Sequence, residues 1–218
     1  MQRRTTLKTL SALALLHAPG FWQNLLAAGA LLPPPGFYRL RGDVRLNGQP
    51  ARLGQLVTPG DTVSTGPDGE AIYIIGQDVY LQRDHSRVSL AGDALRSGLR
   101  VINGKLLSVF AKGERQIRVP TATIGIRGTA CYIEASTDQV YFCLCYGTAE
   151  VTAASDPAQV RTITTRHHDS PFNLNADANF MQAAPVINHT DAELILLESL
   201  VGRVPPFQEI AGTYTPRY

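Results

Sequence analysis

The sequence predicts an all-β protein: an antiparallel rolled sheet or sandwich of short strands, followed by one short C-terminal helix. Segments of alternating apolar and polar residues recur from residue 37 to residue 165, and turn-forming residues separate them. The 19 glycines and 14 prolines among the 218 residues are enough to supply those turns. No long helical periodicity is found before residue 190, which favours strands over helices.

The first thirty residues have the pattern of an export signal. Arg3 and Arg4 precede an apolar run over residues 10–16, and an Ala-Gly-Ala sequence at 28–30 provides a cleavage site. The pattern resembles a twin-arginine signal, although two positions depart from it and ordinary secretion is the alternative. A signal anchor is disfavoured, because polar and helix-breaking residues interrupt the roughly 20 apolar residues that a membrane span needs.

Residues 1–30 are therefore interpreted as a cleaved signal peptide, and residues 31–36 as a stiff, proline-rich spacer. We expect the mature protein to be periplasmic and to meet a membrane only during export. The β-domain is predicted over residues 37–165, and a C-terminal extension with a short helix over residues 166–218.

The charge balance argues against nucleic acid as a partner. Three of the 20 basic residues and none of the 18 acidic ones lie in the first thirty positions. The remaining 17 basic and 18 acidic residues make a nearly neutral domain, which has no electrostatic attraction for nucleic acid or an acidic membrane.

Turn signals divide the predicted β-domain into short strands. Asn-Gly pairs at 47–48 and 103–104 each predict a hairpin, because this dipeptide favours the tight turns that join antiparallel strands. In the stretch 121–130, Gly125 and Gly128 interrupt β-branched residues and predict a bulge or a close backbone approach. The main predicted strands cover residues 43–46, 71–75, 79–82, 100–102, 106–110, 116–119, 131–135 and 140–146.

Several of these segments, in order, resemble a FecR-type domain. They are residues 60–71, 79–81, 86–88, 106–110 and 120–129, and the resemblance covers about residues 37–151. It implies an exported, non-catalytic β-domain, which in many members is the periplasmic part of a cell-surface signalling regulator. A cytoplasmic sigma-binding region and a clear membrane span are not found in this sequence. We therefore expect a freestanding exported domain that binds an envelope protein or polymer through a sheet face or edge.

The sequence does not predict an enzyme. It contains no Gly-x-Ser-x-Gly elbow, phosphate-binding loop or His-Glu-x-x-His motif. The pairs Asp84 with His85 and Asp191 with Glu193 fit ordinary turns and helix caps.

The positions of three cysteines depend on the register of one hairpin. Alternation over residues 140–146 places Cys143 and Cys145 on the same face of a strand. If residues 136–139 form a four-residue loop, Cys131 lies opposite Leu144 on the other face; a three- or five-residue loop brings all three sulfurs together. The match of apolar residues favours the four-residue loop.

A metal site is one interpretation of these cysteines and of histidines further along the chain. The candidate ligands for zinc or another transition metal are Cys131, Cys143, Cys145, His168 and His189, and the adjacent His167 is a further histidine that could complete the site. The alternatives are buried thiols, or a disulfide from Cys131 to one of the other two. These alternatives are favoured, because the spacing matches no standard zinc signature.

The C-terminal helix is predicted from a capping box. Thr190 and Glu193 form this signature, and apolar residues at helical spacing follow over 194–201. Gly202 is placed to end the helix. We expect its apolar face to pack on the sheet and to bring His189 over the cysteine-bearing face.

Overall fold

The computed structural model describes residues 32–91, 98–169, 171–177 and 179–211. The predicted export signal over residues 1–30 lies outside the described residues. Within the ranges given, no helix is long and apolar enough to cross a membrane.

The described part of the chain contains fourteen strands and two short helices, as the all-β prediction requires. The strands are β1 (Gly36–Arg41), β2 (Val44–Leu46), β3 (Gln49–Pro50), β4 (Thr62–Thr65), β5 (Glu70–Ile75), β6 (Asp78–Gln82), β7 (Arg87–Ala91), β8 (Gly98–Val109), β9 (Glu114–Arg118), β10 (Ala122–Ala135), β11 (Gln139–Ala153), β12 (Val160–Thr165), β13 (Pro171–Asn175) and β14 (Met181–Ala183). The helices are α1 (Asp191–Ser199) and α2 (Pro206–Ala211).

Three long strands, β8, β10 and β11, take part in both halves of a rolled, mainly antiparallel sheet. One half has the order β1-β5-β6-β8-β10-β11-β13-β14. The other half contains β3-β2-β4-β7-β8-β9-β10-β11-β12, in which β8 and β9 are parallel. Each long strand changes partners part-way along its length, so the sheet can turn without a break in the chain.

The predicted hairpin at Asn103-Gly104 is wrong, and the reason lies in one of these changes of partner. Both residues lie inside β8, where the strand leaves β7 and joins β6 and β10. Gly104 has φ +92°, and a Cβ there would lie 2.2 Å from Ser86 Oγ. Glycine is required here by a bend within a strand and by the close approach of Ser86. The hairpin at Asn47-Gly48 is confirmed between β2 and β3.

Gly128 marks a second such irregularity, as predicted. The pairing of β10 with β11 shifts register between Arg127 and Ala130, and Gly128 has φ +55°. Gly125, by contrast, lies in regular pairing opposite Glu150.

The sheet separates two apolar cores. The inner core lies between the two halves of the sheet, and its completely buried members are Val63, Ala71, Tyr73, Val88, Leu106, Ile117, Ile124, Cys131, Ile133, Val140, Phe142, Leu144, Val151 and Leu174. The outer core lies between the opposite face of one half and α1, and its completely buried members are Ile72, Val79, Leu107, Val109, Ala130, Tyr132, Cys143, Cys145, Leu194 and Leu197.

The C-terminal region contains both the predicted helix and elements that were not predicted. Thr190 caps α1 in a capping box with Glu193, and Gly202, with φ +70°, follows the helix. A second helix begins at Pro206, a residue whose fixed φ suits the first turn of a helix. Strands β13 and β14 extend the sheet beyond residue 165. They are short and rich in Asn, Gln and Pro, which have little strand propensity.

Candidate metal centre

The register of the β10–β11 hairpin divides the three cysteines between the two cores. Cys131 lies opposite Leu144, and Ala135 lies opposite Val140, which confirms the register predicted for four connecting residues, although Gln139 already pairs with Asn175 of β13. The Cys131 side chain is therefore in the inner core, on the opposite face of the sheet from Cys143 and Cys145. Of the five predicted ligands, Cys131 alone is not brought to the cluster. A disulfide from Cys131 does not form either, since all three cysteines are free thiols.

The other four predicted ligands converge beneath the start of α1. One donor atom from each of Cys143, Cys145, His168 and His189 lies within 4.8 Å of all the others. The Cys143 sulfur lies 3.5 Å from His168 Nδ1, and His189 Nε2 lies 3.0 Å from the same nitrogen. Ligands of a tetrahedral zinc ion are about 3.3–3.8 Å apart, as metal–ligand distances of about 2.0–2.3 Å require. Small side-chain movements would bring these four atoms to that geometry.

His168 is positioned by the tight turn that follows β12. Asp169 accepts hydrogen bonds from Thr165 Oγ1 at 2.8 Å and from the Arg166 amide at 3.0 Å. The amide of His168 donates to the Cys145 carbonyl at 3.0 Å, and its φ is +51°. The backbone of this turn is thus tied directly to the strand that carries the two cysteines.

His189 is positioned by the segment that leads into α1. Its Nδ1 donates to the Ile187 carbonyl at 2.6 Å, and its ring stacks on Tyr132 with centroids 4.7 Å apart. Thr190, the next residue, begins the helix cap. Packing of α1 on the outer core therefore fixes this imidazole over Cys143 and Cys145.

The hydrogen bonds on the outer sides of the two imidazoles determine which nitrogens face the cluster. The Ile187 carbonyl only accepts, so His189 Nδ1 carries the hydrogen and Nε2 presents a lone pair. Asp191 Oδ1 lies 3.1 Å from His168 Nε2, so that nitrogen is the donor and His168 Nδ1 presents a lone pair. Two lone pairs 3.0 Å apart repel each other unless a cation, either a proton or a metal ion, interacts with both.

The cluster also favours a thiolate at Cys143. Hydrogen bonding from Cys145 is the main cause that lowers the pKa of Cys143 to about 4; burial opposes it, and His168 and His189 add to the lowering. Burial raises the pKa of Cys145 well above its ordinary value. Burial would lower the pKa of His168, but Cys143 and Asp191 outweigh it and raise that pKa. Thiolates are the form of cysteine that binds metal.

Two residues lie on the solvent side of the site: His167, which the sequence analysis named beside His168, and Asp191, which it did not assign to the site. Asp191 Oδ1 lies 2.8 Å from His167 Nε2 as well as 3.1 Å from His168 Nε2. Burial opposes ionisation of Asp191, but the hydrogen bonds from both histidines outweigh it and lower its pKa. A carboxylate behind a metal-binding histidine is a common arrangement that orients the imidazole and raises its basicity. The sequence position of Asp191 fitted a helix cap and carried no separate signal of this role.

The order Cys143, His168, Asp191 also has the form of a nucleophile, a base and an orienting acid. The burial of the sulfur argues against that use, because Cys143 has 0% of its surface exposed. A substrate must reach a nucleophile, whereas a single ion needs only space between the ligands.

Comparison with known proteins gives solved structures of similar fold and no match to a family model or a curated protein. No protein-family model matches the sequence, and no curated protein matches it. Two solved structures from Parabacteroides distasonis ATCC 8503, at 1.65 and 2.50 Å resolution, are similar in fold; both are described as a "putative anti-sigma factor". Each is 10% identical over 56% of this chain with a TM-score of 0.48, and the match spans 58% of that chain.

Proposed function

We propose that this chain is a non-catalytic, periplasmic β-domain protein that binds a transition-metal ion through Cys143, Cys145, His168 and His189. The observation that carries the proposal is the convergence of two sulfurs and two imidazole lone pairs within 4.8 Å. The outer nitrogens of both imidazoles are already engaged by acceptors. The ligand atoms are therefore oriented for an ion before it binds.

The ligand set favours zinc, with copper(I) as the other suitable ion. Soft thiolates combined with imidazoles suit both ions, and four protein ligands complete a tetrahedral shell. A shell filled by protein side chains leaves no open position for a substrate, which is typical of structural and regulatory sites. The proposed role is regulatory, because the ion would connect the sheet to the segment that carries His189.

Substitution of the sulfur ligands tests this proposal directly. Purified full-length protein, stripped of metal and loaded with Co²⁺, is expected to show thiolate-to-cobalt charge transfer and the visible bands of a tetrahedral ion. The Cys143→Ser/Cys145→Ser variant should lose the charge-transfer band completely. Cys131→Ala is the matched control and should keep it, since Cys131 lies in the inner core. Wild-type protein without a thiolate-to-cobalt band would rule out the proposed centre.

A second candidate function is recognition of an envelope protein or polymer by a FecR-like domain. It is favoured by Leu53 and Leu56, whose surfaces are 67% and 60% exposed in the loop between β3 and β4. Loops often carry binding residues, and these two leucines offer apolar surface that a partner could cover.

Affinity capture from an envelope fraction tests this second function. Leu53→Ser/Leu56→Ser should recover at least tenfold less of any captured partner than the wild-type protein. The control, Ile102→Ser/Val160→Ser, removes exposed apolar side chains from strands elsewhere and should retain capture. Capture with and without chelator shows whether recognition depends on the metal centre. Equal recovery by the leucine variant and the wild type would exclude this loop as the contact surface.

A further inference from the structure

We propose that His167, His168 and Asp191 form a second, solvent-open cation site, and that the His168 imidazole is shared with the buried centre. The three donor atoms, one from each residue, lie within 4.8 Å of one another. The sharing of His168 rests on the proposed function, whereas the outer three ligands do not. The chemistry that fits them is a divalent ion such as Zn²⁺, Co²⁺ or Cu²⁺.

The outer ligands are directed at a common point. Nε2 of His167 and Nε2 of His168 lie 2.8 and 3.1 Å from the same oxygen of Asp191. Two imidazoles and one carboxylate on one side of an ion form a recurring set of three protein ligands, which leaves the remaining positions to water.

Each outer ligand is held by its own contacts. The ring of His167 stacks on Phe207, with centroids 4.5 Å apart and planes inclined by 26°. Asp191 is the first residue of α1, next to the Thr190 cap. The His168 amide is bonded to the Cys145 carbonyl. Because the sheet, α1 and α2 each hold part of this set, little reorganisation is needed for an ion to bind.

The outer and inner sites differ in how far their side chains are exposed to solvent. The side chains of His167 and Asp191 are each 45% exposed, and that of His168 is 11% exposed. Cys143 and Cys145, on the other side of His168, have no exposed surface. The imidazole of His168 therefore stands between an open site and a closed one, with Nδ1 directed inward and Nε2 outward.

Occupation of both sites makes His168 a bridge between two ions. The inner ion bonds to Nδ1, and the outer ion bonds to Nε2, His167 Nε2 and Asp191 Oδ1. The hydrogen on His168 Nε2 leaves to solvent as a proton, and the hydrogen on His167 Nε2 is exchanged through solvent for one on Nδ1 of the same exposed ring. The hydrogen bonds of both imidazoles to Asp191 are replaced by bonds from all three residues to the outer ion. No electron transfer is involved.

Metal stoichiometry in full-length protein tests the outer site. Equilibrium dialysis of metal-stripped wild-type protein against Co²⁺ should give two ions per chain. His167→Ala should give one ion and keep the thiolate-to-cobalt band, because His167 faces only the outer site. His85→Ala is the matched control: His85 is an exposed histidine 3.0 Å from Asp84, and its loss should leave two ions bound.

The outcomes separate this inference from the proposed function. One ion per wild-type chain with a thiolate band overturns the outer site and leaves the buried centre standing. If the wild-type chain binds one ion without a thiolate band, and His167→Ala no longer binds that ion, the outer site is supported and the buried centre is overturned. If His167→Ala binds two ions, as the wild-type chain does, the assignment of the outer ligands is overturned.

Spectroscopy of successive additions tests the sharing of His168. The first equivalent of Co²⁺ should occupy the buried centre, and the second should shift the visible bands of the first because it binds the same imidazole. In His167→Ala, further Co²⁺ should leave those bands unchanged. Two bound ions with no shift in the wild type would overturn the bridge.

Discussion

Gly147 shows how one residue controls the course of a long strand. It lies where β11 passes from β13 to β12, immediately after the segment that carries Cys143 and Cys145. Its φ is +98°, a conformation that side chains with a Cβ rarely adopt. A Cβ there would also lie 2.4 Å from Cγ2 of Thr129.

Gly147→Ala is therefore expected to destabilise the protein by at least about 2 kcal/mol, since backbone strain and overpacking each contribute about 1–3 kcal/mol. Gly125→Ala is the matched control in the neighbouring strand, where the nearest atom to a new Cβ is 3.9 Å away. Its effect should stay within about 1 kcal/mol of the wild type. Urea unfolding of both variants measures the difference. Equal midpoints for the two variants would show that Gly147 is not under the strain described.

Residue-level prediction was successful where neighbours along a strand determine the outcome. The register of Cys131, Ile133 and Ala135 against β11 followed from the apolar alternation of two adjacent strands, because a shift of one residue would have moved that apolar set to the opposite face of the sheet. The role of Asp191 could not be found in this way. Its contact with His167 and His168 joins residues 24 and 23 positions apart and depends on how α1 packs.

At the level of elements, the main error concerned β8. Asn-Gly at 103–104 has the local chemistry of a hairpin, but the chain continues as one strand because β6 and β10 are available to pair with its second part. Local propensity for a turn is weaker than the backbone pairing that these neighbours supply. The capping box of α1 was predictable because its hydrogen bonds lie within four consecutive residues.

Helix α1 is held on the sheet by contacts that do not involve the candidate metal ligands. Leu194 and Leu197 are completely buried in the outer core. Glu198, 3% exposed, accepts hydrogen bonds from Tyr146 and Arg203, and Arg203 also donates to the Gln77 carbonyl at 2.6 Å. Burial of the two leucines should keep α1 in place without an ion, and Arg203 leaves no uncompensated charge at Glu198 beneath the helix. The proposed metal would therefore tighten the contact rather than create it.

At the scale of the whole molecule, the candidate centre joins three separate parts of the chain. Cys143 and Cys145 come from β11, His168 from the turn after β12, and His189 from the segment before α1. Contact among these parts depends on the rolled sheet and on the packing of the C-terminal segment over its outer face. The sequence allowed cysteine and histidine ligands to be predicted, but their convergence depends on the tertiary fold.

Removal of residues 185–218 tests this arrangement through the reactivity of the thiols. The deletion takes away His189 and the helices that cover Cys143 and Cys145, whereas Cys131 remains enclosed in the inner core. In native, chelator-treated protein, a thiol reagent should modify two of the three cysteines of the truncated chain, and none in the full-length chain.

Cys131 serves as the internal control for this experiment. Modification of all three thiols would mean that the truncation unfolds the sheet. In that case the substitution Leu197→Asp in the full-length chain provides the test. This substitution disrupts the packing of α1 without shortening the chain. Modification should again be confined to Cys143 and Cys145, as peptide mapping of the labelled protein would show. Hydrogen exchange shows whether α1 has lost its protection in the Leu197→Asp variant. If it has, and Cys143 and Cys145 still do not react, the conclusion that α1 shields the cluster from solvent is contradicted.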